Sequence, residues 1–134
     1  ADALDHVAAY ALGLDLTARD IQAEAKKKGH PWSVAKGFDT FAPLGPLADA
    51  ASVGDPQALE IALTVDGETR QQGTTDRMMF SIAALVSYVS SVFTLEPGDL
   101  LYTGTPEGVG PVEAGQTLRC TGTGLPDLTV RVRR

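Results

Sequence analysis

A carboxylate and the start of a predicted helix lie side by side in one short segment of the sequence. Asp15 follows an apolar run, Tyr10–Leu14, that is typical of a strand, and it precedes Thr17, which has the residue type of a helix N-cap. Hard divalent cations prefer carboxylate oxygens, and the free N–H groups of a helix start can bind an anion. The segment therefore indicates a metal ligand beside a carboxylate-binding site. Alternatively, Asp15 only assists capping and Arg19 forms a surface ion pair.

Lys36 is a single charge among apolar and small residues in the segment 32–39. A lysine in a partly dry site can bind a carboxylate or act as an electrophile, because few water molecules compete for its ammonium group. In the alternative interpretation it is a surface lysine whose aliphatic stem covers apolar atoms while its charge stays in water. The spacing alone leaves both interpretations open.

A glycine-rich loop, Thr103–Gly110, follows a short apolar run, Leu100–Tyr102. Glycines after a strand let the backbone approach a ligand closely, and the threonine hydroxyls of this loop can bind an oxyanion. The spacing matches neither a phosphate-binding P-loop nor a dinucleotide-binding fingerprint. A hairpin that needs glycine torsion angles explains the same residues equally well.

The composition restricts the metals and partners that such a site would use. The 134 residues include 17 acidic and 11 basic ones, for a net charge of −6, and this balance argues against binding to nucleic acid or an anionic membrane. The single cysteine, Cys120, excludes an intrachain disulfide and a four-cysteine zinc site. Any metal is therefore expected to be a hard, oxygen-binding ion. Cys120 itself follows a strand pattern and is predicted to be a core residue.

Capping signals predict the helix that follows the acidic segment. Thr17 as the N-cap and Asp20 three residues later approximate a capping box. The helix is predicted to run to about Lys28, because Gly29 suits the position after the last turn.

Alternating and helical patterns predict an α+β domain that is richer in strand than in helix. Leu59–Val65 alternates apolar and polar residues, and Asp66-Gly67 is a strong hairpin turn to a returning strand, Glu68–Gln72. Apolar residues repeat every three or four positions over Ser81–Phe93, which predicts a helix. Three further strands are predicted, the first of them buried: Leu100–Tyr102, Leu118–Cys120 and Leu128–Val132.

Several segments in one order resemble the fumarylacetoacetate hydrolase family, in particular its short acylpyruvate and fumarylpyruvate hydrolases. The resembling segments are Asp15–Gln22, Pro31–Asp39, Gly67–Gly73 and Leu95–Pro111. Several motifs in one order are far more specific than any one of them. The resemblance implies an α+β fold with the mixed β-sheet roll of that family's C-terminal domain, present here only in part.

The resemblance also implies a site for Mg²⁺, or for Mn²⁺ or Ca²⁺ in its place, held by three carboxylates. Asp15 matches the third of these ligands, and Lys36 matches the catalytic lysine, which also contacts the substrate. Other matches to substrate-binding positions lie at the helix start and in the glycine-rich loop: Arg19, Asp20, Gln22, Gly104 and Thr105.

In the family, the other two metal ligands come from a Glu-x-Glu strand motif upstream of the segment that begins here. The lid segment, which in the short members carries a His/Glu pair that activates water, is not recognised in this sequence either. Residues 1–134 are therefore expected to form a single, partial catalytic domain that is N-terminally truncated relative to the family.

The implied activity is a magnesium-dependent hydrolase that cleaves the C–C bond of a 2,4-dioxo acid, an acylpyruvate or fumarylpyruvate, through a pyruvate enolate. An oxaloacetate decarboxylase, or an isomerase or decarboxylase of a 2-oxo-diene-dioate, would use the same enolate. A non-catalytic binding or assembly module is the alternative from another class. The expected partners are a small 2-oxo or 2,4-dioxo acid and a second copy in a homodimer. No leader is visible at the N-terminus, so a cytoplasmic location is expected.

Overall fold

An antiparallel sheet of four strands forms the centre of the computed structural model, which describes residues 3–133. Its strands are β3, Glu60–Val65; β4, Glu68–Thr74; β5, Thr117–Gly122; and β6, Leu125–Arg131. They lie in the order β4-β3-β5-β6, so two hairpins stand side by side, with β3 and β5 in the centre and β4 and β6 at the edges. A separate two-stranded sheet pairs β1, Ala9–Tyr10, with β2, Ala48–Asp49.

The hairpin between β3 and β4 forms as the sequence predicts. Asp66 and Gly67 both have positive φ, 51° and 90°, as a tight two-residue turn of the primed type requires. The Asp66 carboxylate also accepts a hydrogen bond of 2.8 Å from the backbone N–H of Thr117 at the start of β5. The turn therefore sets the register of two neighbouring strand pairs at once.

The core lies on one face of this sheet, against the segment that contains Leu12 and Leu14. Its buried side chains come from the strands and from that segment: Leu12, Leu14, Val65, Leu118, Cys120 and Leu128. Leu118 and Cys120 are both buried because alternate residues of β5 point to the same face. The prediction that Cys120 is a core residue is confirmed.

Four α-helices are present within residues 3–133, and they differ in how their ends are capped. They are α1, Arg19–Lys28; α2, Ser33–Lys36; α3, Ala50–Val53; and α4, Ile82–Val92. The predicted start of α4 is confirmed, because the Ser81 hydroxyl accepts a hydrogen bond from the N–H of Ala84. Among residues 3–133, none of the helices has the length and apolar character that crossing a bilayer requires.

The predicted capping box at α1 is wrong. The N-cap is Ala18, and no side chain caps it. The Thr17 hydroxyl instead donates to the backbone oxygen of Asp15, at 3.3 Å. Residues 12–16 are held extended against residues 41–45, with Leu16 N–H donating to Phe41 at 2.8 Å, so the helix cannot begin as early as predicted. The predicted end is confirmed, with Gly29 in the left-handed region at φ 65°.

The prediction of a buried strand at Leu100–Tyr102 is also wrong. No strand is assigned there, and the described residues place no ladder partner beside it. Leu100 is 62% exposed. The apolar side chains of this run indicated burial, but a strand also requires a neighbour for its backbone groups. The run nonetheless leads directly into the glycine-rich loop.

Candidate functional site

Asp15 and Lys36, which the sequence places 21 residues apart, are in direct contact. The Lys36 Nζ lies 2.5 Å from the Asp15 Oδ2, and the two side chains are 33% and 50% exposed. Asp15 stands on the extended segment 12–16, whose neighbour Leu14 donates its N–H to Pro43 at 3.1 Å. The geometry thus gives a charged pair that is open to small molecules on a backbone fixed by strand-like hydrogen bonds.

Lys36 reaches this contact because the end of α2 is tied to the start of α1. The Ala18 N–H donates to the backbone oxygen of Ala35 at 3.0 Å. Ala35 is completely buried, so it fixes the last turn of α2 against the segment that carries Asp15. The lysine ammonium has three N–H donors, and its contact with Asp15 uses one of them. The remaining donors can bind a second acidic or carbonyl oxygen.

The three predicted substrate-binding residues at the start of α1, Arg19, Asp20 and Gln22, have different surroundings. The Arg19 guanidinium donates to the Gln22 Oε1 at 2.9 Å, which leaves the amide NH₂ of Gln22 available as a donor. Asp20 instead lines an open groove of about 630 Å³ between α1 and α2, together with Glu24 and His30. Arg19 and Gln22 therefore form one unit, whereas Asp20 faces a separate surface.

Gly104 and Thr105 line a small cavity of about 60 Å³ above the sheet. Its other walls are Gln71, Pro106 and residues from three further segments: Leu12, Gly13, Leu14, Ile61, Ala62, Leu63 and Cys120. Leu14 precedes Asp15 directly, so this cavity adjoins the segment that carries the charged pair. Among the described residues, neither Asp15 nor Lys36 lines this cavity, and the Thr105 side chain makes no hydrogen bond to the pair.

Contacts with β4 position the glycine-rich loop. The Gln71 Nε2 donates to the carbonyl oxygen of Pro106 at 2.7 Å. Gly108, at φ 96°, lies so close to the carbonyl oxygen of Arg70 that a Cβ would overlap it. Gln71 belongs to a segment that carried the family resemblance, but no residue-level signal predicted this contact.

Tyr102 is a second residue that sequence reasoning did not single out. Its hydroxyl donates to the backbone oxygen of Ala42 at 3.0 Å. Burial, with a smaller contribution from the negative charge of Asp15, raises the pKa of Tyr102 above its usual value. Its place in the apolar run after α4 was the only signal in the sequence, and that signal indicated a strand.

The residues present fit one part of a divalent-cation site. Asp15 supplies a half-exposed carboxylate, the ligand type that hard cations prefer. Within residues 3–133, no three His, Cys, Asp or Glu side chains come together as a metal-binding cluster. Cys120 is unsuited to be a ligand or nucleophile, because burial raises its thiol pKa to about 11.

Comparisons with known proteins agree on the family and on the fold. A family model for the fumarylacetoacetate (FAA) hydrolase C-terminal domain matches residues 1–133. The mitochondrial oxaloacetate tautomerase of Arabidopsis thaliana is 52% identical over 98% of this chain and 59% of that protein. The mitochondrial oxaloacetate decarboxylase of Dictyostelium discoideum is 47% identical over 92% of this chain and 56% of that protein.

A solved structure gives the same result. The fumarylpyruvate hydrolase of Pseudomonas aeruginosa, crystallised with Mn²⁺ and pyruvate, matches with a TM-score of 0.95 and 49% identity, over 98% of this chain and 57% of that one. The chain thus spans less than two thirds of the length of these relatives. The predicted α+β fold of the family's C-terminal domain, present in part, is confirmed.

Proposed function

Because the chain belongs to the fumarylacetoacetate hydrolase family, we propose that its protein is an enzyme that stabilises the enolate of a 2-oxo acid. The contact between Asp15 and Lys36 carries this proposal. A carboxylate that can hold a divalent cation and a lysine that can bind the substrate stand side by side, and both are accessible. Such a pair suits a reaction in which negative charge develops on an oxygen atom.

Residues 1–134 are proposed to form one partial catalytic domain, in which Asp15 is one of three carboxylate ligands. The other two ligands are supplied from outside these residues. Mg²⁺ is the proposed ion, with Mn²⁺ or Ca²⁺ as substitutes, because the donors are hard oxygens. When bound, the ion supplies positive charge to the oxygen atoms of the 2-oxo acid.

The other proposed roles follow from the donors that remain available. Lys36 keeps Asp15 oriented and adds positive charge beside the developing oxyanion. Gln22, held by Arg19, directs its amide NH₂ toward a substrate oxygen. Gly104 and Thr105 contribute a backbone N–H and a hydroxyl to the substrate carboxylate. Asp20, at the start of α1, lines the separate groove between α1 and α2 and is given no contact in this set.

The leading candidate reaction is the hydrolysis of a 2,4-dioxo acid such as fumarylpyruvate. Water adds to the 4-carbonyl, the C3–C4 bond breaks, and its electron pair becomes the enolate of pyruvate, which takes a proton at C3. Fumarylpyruvate and water thus give fumarate and pyruvate. The likeness to the Pseudomonas hydrolase supports this candidate.

A second candidate, conversion of oxaloacetate, is favoured by the Arabidopsis and Dictyostelium relatives. Tautomerisation moves one proton between C3 and the 2-oxygen, and decarboxylation leaves the electron pair of the broken C–C bond at C3. Tautomerisation passes through the enolate of oxaloacetate and decarboxylation through the enolate of pyruvate, and neither reaction needs an attacking water. An isomerisation of an unsaturated 2-oxo acid would likewise pass through an enolate of its own substrate.

The test is a substrate comparison with the full-length protein and Mg²⁺. Loss of fumarylpyruvate and loss of enol-oxaloacetate are followed separately by ultraviolet absorbance, with and without a chelator. We expect chelator-sensitive turnover of at least one substrate. A folded, Mg²⁺-loaded protein that turns over neither would contradict the proposal and favour a binding or assembly module. Light scattering on the same sample tests the proposed homodimer.

A further inference from the structure

Tyr102 spans both strands of the ladder that carries Asp15. The ladder pairs residues 12–16 with residues 41–45, and Gly45 donates its N–H to Leu12 at 2.8 Å. The Tyr102 hydroxyl is hydrogen-bonded to Ala42 on one strand. On the other strand its ring covers Gly13 so closely that a Cβ there would lie 2.7 Å from the Tyr102 Cε1.

The ring lies on the same face of this ladder as the Asp15 side chain. Leu12 and Leu14 are buried in the core, so in an extended segment the positions between and after them, Gly13 and Asp15, face the other way. Tyr102 covers Gly13 on that second face. The negative charge of Asp15 makes the smaller contribution, after burial, to the raised pKa of Tyr102, which agrees with this closeness.

We propose that Tyr102 is a positioning residue that holds Asp15 in the place and orientation needed to bind the divalent cation. This rests on the proposed function, in which Asp15 is a metal ligand. The phenol hydroxyl fixes one strand and the ring fixes the other, so Asp15 cannot shift along the ladder without breaking a contact. Tyr102 acts through Asp15 and needs no contact with the substrate.

Gly13 makes the arrangement possible. It is not among the residues with positive φ, so alanine there is strained only by the overlap with the Tyr102 ring. The ring cannot move aside cheaply, because its hydroxyl is tied to Ala42. Gly13→Ala should therefore displace the ladder when Tyr102 is present, but not when a smaller residue such as alanine replaces Tyr102.

The test measures Mn²⁺ affinity of the chelator-treated full-length protein by electron paramagnetic resonance titration. Tyr102→Phe removes only the hydroxyl, and we expect the Kd for Mn²⁺ to rise about fivefold, the equivalent of one hydrogen bond. Tyr88→Phe is the matched control, because Tyr88 is 70% exposed on α4, and its Kd should equal that of the wild type. Melting temperatures are recorded for all variants.

A double-mutant cycle gives a second, independent readout. Gly13→Ala should weaken Mn²⁺ binding about tenfold or more in the native background and have little further effect in Tyr102→Ala. Two results together would overturn the positioning role: a wild-type Kd for Mn²⁺ in Tyr102→Phe, whatever its melting temperature, and effects of Gly13→Ala and Tyr102→Ala on the Kd that simply add. The proposed function would then still stand. A wild-type protein that binds no Mn²⁺ would overturn the proposed function and this inference with it.

Discussion

Gln71 on β4 donates a hydrogen bond of 2.7 Å to the carbonyl oxygen of Pro106, the residue that follows Thr105. Gly73, on the same strand, lies against the Pro106 ring, where an added Cβ would be 3.2 Å from its Cβ. One strand of the central sheet therefore helps to determine where the glycine-rich loop stands, which is proposed to bind substrate. A group that never touches the substrate can in this way control how well the substrate is bound.

Replacing Gln71 with methionine should raise the KM for the 2-oxo acid about fivefold and leave the Mn²⁺ affinity unchanged. The substitution keeps the length of the side chain but removes the donor to Pro106, which is worth about 1 kcal/mol. Steady-state kinetics with a parallel Mn²⁺ titration makes the comparison. Gln72→Met is the control, because Gln72 is exposed and points to the opposite face of β4. Equal KM values in the two variants would argue against loop positioning by Gln71.

Removing either member of the charged pair should abolish most turnover while the protein stays folded. Lys36→Ala removes positive charge beside the developing oxyanion, and Asp15→Ala removes a proposed metal ligand, so we expect kcat to fall by at least about 100-fold in each. Only Asp15→Ala should also abolish Mn²⁺ binding.

Lys28→Ala serves as the control for the loss of a lysine, because its ion pair with Glu24 lies on the exposed face of α1. It should keep wild-type rates. The proposed roles would fail if Lys36→Ala and Lys28→Ala had equal rates, or if circular dichroism showed the Asp15 variant to be unfolded.

Gly108→Ala should displace the glycine-rich loop from β4. A Cβ at this position overlaps the carbonyl oxygen of Arg70, and the φ of 96° disfavours any L side chain. We expect a large rise in KM and a lower melting temperature. Gly110→Ala is a close control, since no atom lies within 4 Å of its added Cβ. Comparable effects in both variants would mean that the loop is sensitive to glycine loss in general.

The buried thiol should make stability decrease at alkaline pH. Burial, and to a smaller extent the charge of Asp127, raises the pKa of Cys120 from 9.0 to about 11. The folded state then keeps a proton that the unfolded chain releases, so this contribution is complete below pH 9.0 and is lost as the pH rises toward 11. Urea unfolding at about pH 8 and about pH 10.5 measures the change.

Cys120→Ala provides the reference, because it lacks the thiol and retains every other titrating group. Its unfolding free energy should decrease less between the two pH values than that of the wild type. Parallel decreases in the two proteins would show that Cys120 does not titrate as the structure requires.

Local signals in the sequence predicted the elements that local chemistry forms. The turn at Asp66-Gly67 and the helix after Ser81 are examples, because a positive φ and an N-cap are decided by a few neighbouring residues. The predicted start of α1 was wrong because the backbone hydrogen bond from Leu16 N–H to the Phe41 oxygen keeps the chain extended up to this point. A hydrogen bond to a residue that is distant in the sequence cannot be predicted from the residue types of the neighbouring positions.

The candidate site shows the same division. Asp15 and Lys36 were each singled out by residue type, but nothing in their spacing predicted that they would touch, and the family resemblance alone grouped them. Tyr102 was missed because its value lies in contacts with Gly13 and Ala42 across the ladder. The roles of such residues depend on geometry that composition and periodicity do not contain.

The sequence distances across the site have a consequence for folding. Asp15 and Lys36 are separated by 21 residues, Gln71 and Pro106 by 35, and Tyr102 and Ala42 by 60. Closing a longer stretch of chain costs more conformational entropy, so contacts between distant residues tend to form later. During synthesis from the N-terminus, the charged pair can therefore meet before the residues that position it have left the ribosome. Full affinity for metal and substrate would then be among the last properties that the nascent chain acquires.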